Sequence, residues 1–92
     1  MDVTILLGSS SDLPIAQKCT KILDHFDVPY QLRVASAHRS PKFVEQIVGD
    51  ALDDGCSVFI AMAGLAAALP GAVAALTTKP VIGVPCGGRV PF

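Results

Sequence analysis

The spacing of apolar residues changes several times along the chain, and each change marks an element. Val3-Thr4-Ile5-Leu6-Leu7 is a short apolar run closed by Gly8, the pattern of a buried parallel strand. Ile15, Cys19, Ile22, Leu23 and Phe26 then recur at helical spacing, with Asp12 or Leu13 at the cap and Pro14 in the first turn, where its missing N–H does no harm. Val28-Pro29 is expected to end this helix. Tyr30 to Val34 alternates apolar and polar residues as an edge strand does, and Ser36 to Arg39 makes a polar loop. Ser40-Pro41 opens a second helix carrying Phe43, Val44, Ile47, Val48, Ala51 and Leu52 on one face, with Gly55 placed to stop it. Val58 to Ala61 reads as a third strand, Gly64 as a turn, and Leu69 to Leu76 as a short helix starting near Pro70. Pro80 to Val84 reads as a fourth strand ended by Pro85.

The order βαβαβαβ implies a parallel sheet with right-handed crossovers, a doubly wound α/β layer structure. The 92 residues suit one domain, and no linker or internal repeat interrupts them. Ligands of such sheets sit beyond the carboxyl ends of the strands. That rim is made here by three loops: Gly8 to Asp12, Ala35 to Ser40, and Ala63 to Leu69.

Composition narrows the function classes. The chain is 51% hydrophobic and 16% charged with a mean hydropathy of +0.54, which excludes a disordered chain or a charged coiled coil. A net charge of −1 gives no general attraction to nucleic acid or anionic lipid, so any anion must be caught locally. Only Lys79 and Arg89 carry charge beyond residue 54, so the second half holds more apolar surface than one small monomer readily hides. The uncharged run Gly55 to Thr78 is long enough to span a bilayer, but eight of the 15 residues from Ala61 to Ala75 are alanine and Pro70-Gly71 breaks it. A strand, a glycine turn and a short helix explain it better. Met1-Asp2 lacks the basic and apolar regions of a secretory signal. Cys19, Cys56 and Cys86 are odd in number and too widely spaced for a CxxC motif, so a reduced, cytoplasmic protein is expected. Cys86 has no motif that supports a nucleophilic role.

The three loops differ in chemistry. Gly8-Ser9-Ser10-Ser11-Asp12 offers hydroxyls and the N–H groups of a helix start, a cradle for phosphate, although it is neither a Walker loop nor a GxGxxG fingerprint. Asp12 would repel a phosphate, and is expected to cap the helix or to accept from sugar hydroxyls. Ser36-Ala37-His38-Arg39-Ser40-Pro41 sets a group that exchanges protons near neutral pH beside a guanidinium that holds phosphate or carboxylate in bidentate fashion. The third loop, Ala63-Gly64-Leu65-Ala66-Ala67-Ala68-Leu69-Pro70-Gly71, has no acid, base or ligand. It is either a packing surface or a smooth wall for a flat ring or a small gas-like intermediate.

With GSSSD at 8–12, SAHRSP at 36–41 and AGLAAALPG at 63–71 in order, the chain resembles the PurE family of purine biosynthesis, and the similarity runs on through Thr78 to Pro85. The resemblance implies a three-layer, flavodoxin-like α/β/α fold reduced to about four strands. It implies a mutase that moves a carboxylate from the exocyclic nitrogen of an imidazole ribonucleotide to the ring carbon through trapped carbon dioxide. His38 matches the family's catalytic histidine; Ser9, Asp12 and Arg39 match its nucleotide-binding positions, with Ser11 and Ser36 close by and Gly64 in the third loop. No metal or organic cofactor is implied, and self-association into an octamer is. Two departures stand out: Ala68 occupies the place of a second family histidine, and the chain stops at Phe92 where relatives continue. An incomplete domain with weakened activity is therefore expected. The alternatives are a carboxylase using free carbon dioxide, or a module that binds or assembles without catalysis.

Overall fold

The computed structural model describes residues 1–64 and 68–86; the expectations placed on Leu65 to Ala67 and on Gly87 to Phe92 lie outside the described residues. Strands β1 (Val3–Leu7), β2 (Tyr30–Val34), β3 (Val58–Ala63) and β4 (Val81–Pro85) alternate with helices α1 (Leu13–His25), α2 (Pro41–Asp53) and α3 (Ala68–Ala74). All strands pair in parallel in the order β2-β1-β3-β4. The doubly wound α/β sheet read from the residue pattern is the fold.

Side chains of β1 sort the layers by simple alternation. Val3, Ile5 and Leu7 face α1 and pack with Ala16, while Leu6 faces the other way onto Val44, Ile47, Val48 and Ala51 of α2 and Leu69 and Val73 of α3. All five residues of β1 are buried, as a strand covered on both faces requires. Among the described residues no helix is long and apolar enough to cross a membrane; the uncharged run supplies β3 and α3 instead.

Both long helices end in the same hydrogen-bonded cap. After α2, the Gly55 N–H donates to the Leu52 carbonyl at 3.1 Å and the Cys56 N–H to the Ala51 carbonyl at 2.9 Å, with Gly55 at φ +84°. After α1, the Asp27 N–H donates to the Asp24 carbonyl at 3.1 Å and the Val28 N–H to the Leu23 carbonyl at 2.9 Å, with Asp27 at φ 55°. These are paired Schellman bonds around a left-handed residue.

Several boundaries differ from the pattern reading. The α1 helix stops at His25, ahead of Val28-Pro29, because Asp27 turns left-handed. Ile22 and Phe26 are 60% and 69% exposed: the face of α1 on the sheet is built from Leu13, Ile15, Ala16, Cys19 and Leu23, and Phe26 lies beyond the last turn. The β3 strand continues to Ala63, held by pairing of Met62 with Leu7 and of Ala63 with Pro85. Pro85 is the last residue of β4, not a residue beyond it, which an edge strand tolerates. The α3 helix runs from Ala68 to Ala74, starting ahead of Pro70 and ending before Leu76.

Candidate functional site

The carboxyl ends of the strands are tied together one residue past the ladder. Gly8 N–H donates to Met62 O at 2.9 Å, Ala35 N–H to Leu7 O at 2.8 Å and Cys86 N–H to Ala63 O at 2.8 Å. The helices that follow β1 and β3, α1 and α3, pack on opposite faces of the sheet, the arrangement of a topological switch point with its crevice.

A cavity of about 290 Å³ fills that crevice. The β1 loop gives it Ser9, Ser11 and Asp12, the β2 loop gives Ser36 and His38, and the β3 side gives Gly64, Ala68 and Leu69. Beside it lies a cavity of about 510 Å³ lined by Arg39, Ser10, Ser40 and Phe43. Gly8, Ser9 and Ser36 are walls of both. All seven residues singled out in the sequence thus border one continuous rim, with His38 on one side and Arg39 on the other.

Local hydrogen bonds shape the two polar loops. The Ser9 hydroxyl accepts from the Ser11 N–H at 3.2 Å and lies 2.9 Å from the Ser11 hydroxyl, capping a single 3-10 turn over Ser10–Asp12. The Ser36 hydroxyl accepts from the Arg39 N–H at 3.2 Å, and the Ser40 N–H donates to the Ser36 carbonyl at 2.9 Å. The α2 helix begins directly after that turn, so Ser36 bonds fix the backbone that carries His38 and Arg39.

Of the two roles expected for Asp12, the structure does not show the capping bond. Asp12 occupies the N-cap position of α1, yet its side chain makes no capping bond, because the Ser9 hydroxyl already caps the turn that precedes the helix. Asp12 as a whole is 9% exposed, and it borders the cavity. Its charge reaches Cys86: burial pushes that thiol up from its ordinary value, and Asp12 pushes it further in the same direction. A thiol held protonated by both causes is a poor nucleophile.

Among the described residues no cluster of three His, Cys, Asp or Glu side chains could hold a metal ion. No carboxylate forms an ion pair with Arg39 among those residues either, which leaves its guanidinium available to an anion. Leu69 lines the smaller cavity as part of the third rim loop, and Phe43, which reads in the sequence as an ordinary core position of an amphipathic helix, lines the larger one.

A family model described as AIR carboxylase matches residues 2–90. The chain is 56% identical over 88 residues to the N5-carboxyaminoimidazole ribonucleotide mutase of Methanocaldococcus jannaschii, covering 96% of this chain and 54% of that protein. It is 54% identical over 88 residues to a probable N5-carboxyaminoimidazole ribonucleotide mutase of Methanobrevibacter smithii, covering 96% of this chain and 26% of that one. The crystal structure of Treponema denticola PurE superposes with a TM-score of 0.86 at 33% identity, over 90% of this chain and 53% of that one. The chain thus spans about half the length of the Methanocaldococcus relative and of the PurE structure, and about a quarter of the Methanobrevibacter one.

Proposed function

Because the chain belongs to the AIR carboxylase family, we propose that it acts in purine biosynthesis as an N5-carboxyaminoimidazole ribonucleotide mutase. The observation that carries this reading is the crevice in which His38, Ser9, Ser11, Asp12, Ser36 and Gly64 meet, bordered by the cavity of Arg39. The division suits a ligand with an anionic end and a reactive ring. Arg39 and the Ser hydroxyls hold the phosphate by charge-assisted hydrogen bonds. Asp12 accepts from the ribose hydroxyls, and the ring lies in the smaller cavity with His38.

The reaction is an isomerisation, so its protons balance internally. The N-carboxylate leaves as carbon dioxide and the exocyclic nitrogen takes up one proton. The ring carbon attacks that carbon dioxide and then gives up one proton as aromaticity returns. A single imidazole that donates in the first step and accepts in the last completes the cycle, and His38 is the one imidazole among the described walls. Ala68 and Leu69 bring no polar side chain to that space and keep water from the intermediate. The three cysteines, none in a disulfide, suit a reducing cytoplasm. The exposed Ile22, Phe26 and Ile82 suit a chain that self-associates.

The test uses the full chain and substrate carrying a labelled N-carboxylate, followed by carbon NMR. Label is expected on the ring carbon, with no dilution by unlabelled bicarbonate, and His38→Asn is expected to slow transfer by about 10²–10⁴-fold. Dilution of the label would make the enzyme a carboxylase of free carbon dioxide. No conversion by the folded chain would overturn the catalytic reading.

A further inference from the structure

The anion side of the site has more positive charge than Arg39 alone provides. Arg33 on β2 pairs in register with Leu6, which packs on the α2 side of the sheet, and the pleat sends Arg33 to the same face. There its guanidinium carbon stands 5.6 Å from the centroid of the Phe43 ring, within cation–π range. Phe43 lies in the first turn of α2, its N–H donating to the Ser40 carbonyl at 3.1 Å, and it is a wall of the Arg39 cavity. At 39% exposed, Phe43 is only partly held by core packing. Arg33 is not itself a wall, and among the described residues no carboxylate pairs with it.

An aromatic face is electron-rich and disfavours an anion brought against it. A guanidinium on the ring offsets that repulsion, and an apolar wall beside Arg39 lowers the local dielectric and strengthens its attraction for the same anion. We propose that Arg33, acting through Phe43, is a positioning residue for the anionic group bound in the Arg39 cavity, and that it favours a dianionic phosphate ester over a neutral sugar. The inference rests on the functional reading above only in taking that group to be a phosphate. Arg33 fixes the ring and supplies the second positive charge without touching the ligand.

The test is calorimetric titration of the full chain with ribose 5-phosphate at low and high salt, with ribose as the neutral comparison. Arg33→Gln is expected to weaken ribose 5-phosphate binding about two- to fivefold and to flatten its salt dependence. Arg33→Lys should restore the salt dependence, and neither change should alter ribose binding. In a Phe43→Leu background Arg33→Gln should have a smaller effect, since the ring that couples them is gone. Circular dichroism confirms that each variant is folded. Binding abolished by Arg39→Gln but unchanged by Arg33→Gln would overturn this inference alone. Failure of the unaltered chain to bind ribose 5-phosphate would overturn the functional reading and this inference with it. Equal weakening of ribose and ribose 5-phosphate by Arg33→Gln would reduce Arg33 to a structural role.

Discussion

Replacing Leu69 by alanine tests core packing and site containment together, because this side chain serves both. It is 2% exposed, belongs to the core between the sheet, α2 and α3, and is also a wall of the cavity of about 290 Å³ that holds His38. Leu→Ala in a core costs about 2–5 kcal/mol, rising with the volume left empty. Here the space released joins a cavity that already exists, so the cost falls at the lower end, about 2–3 kcal/mol. A chain of this size has about 5–15 kcal/mol in hand, so the variant stays folded at room temperature. At about 4–8 °C per kcal/mol, Tm drops by roughly 10–20 °C. Under the mutase activity proposed above, the same lost wall has a chemical consequence: carbon dioxide set free in the crevice would have an added route to water. With labelled N-carboxylate, the ratio of label released as gas to label on the ring carbon is expected to rise in Leu69→Ala. Leu69→Met, which conserves volume and costs less than about 1.5 kcal/mol, should keep the original ratio. An unchanged Tm would refute the packing argument, and an unchanged ratio in the folded variant would refute the containment argument.

The two helix caps give a paired test of backbone strain. Gly55→Ala places a Cβ at φ +84° and is expected to cost about 1 kcal/mol, whereas Asp27→Gly, at φ 55°, should be neutral or stabilising by up to about 1 kcal/mol; urea unfolding measures both. Cys86 supplies a pH test. Its alkylation by iodoacetamide, followed site by site by mass spectrometry, should rise with pH along a curve displaced upward from that of an ordinary thiol. Asp12→Asn removes a negative charge that disfavours the thiolate, so the curve should move to lower pH while staying above the ordinary one, since burial is the larger cause. A curve that does not move would show that the Asp12 charge does not reach the thiol.

Where residue pattern and fold agree, one kind of interaction decides the outcome. β1 and α2 were legible because burial on both faces, or on one helical stripe, leaves a regular apolar spacing, and all five residues of β1 and the stripe Val44, Ile47, Val48 and Ala51 are buried. The differences arise where a partner distant in sequence decides. Met62 and Ala63 continue β3 because Leu7, Val84 and Pro85 stand beside them, and nothing local announces that. Phe26 has the spacing of a core residue, but a left-handed Asp27, which carries no glycine to signal it, ends the helix before the ring can reach the sheet.

The site divides in the same way. Ser9, Ser11, Ser36, His38 and Arg39 were legible because their chemistry is rare in an otherwise apolar chain and parallel topology sends their loops to one rim. What escaped was every role defined by a neighbour. Ser9 caps the 3-10 turn at Ser10–Asp12 that precedes α1, a turn the residue pattern does not announce, and Asp12 makes no capping bond to the helix. The Asp12 carboxylate is thereby free of capping and adds its charge to the crevice and to Cys86, a residue 74 positions away. Arg33 looks like the solvent side of an edge strand and Phe43 like the core side of a helix. The 5.6 Å between them exists only because β2 is the strand that α2 leaves behind as it crosses to β3. Motif reading finds groups that act directly on a ligand; groups that act through another side chain become visible only when the crossover brings them together.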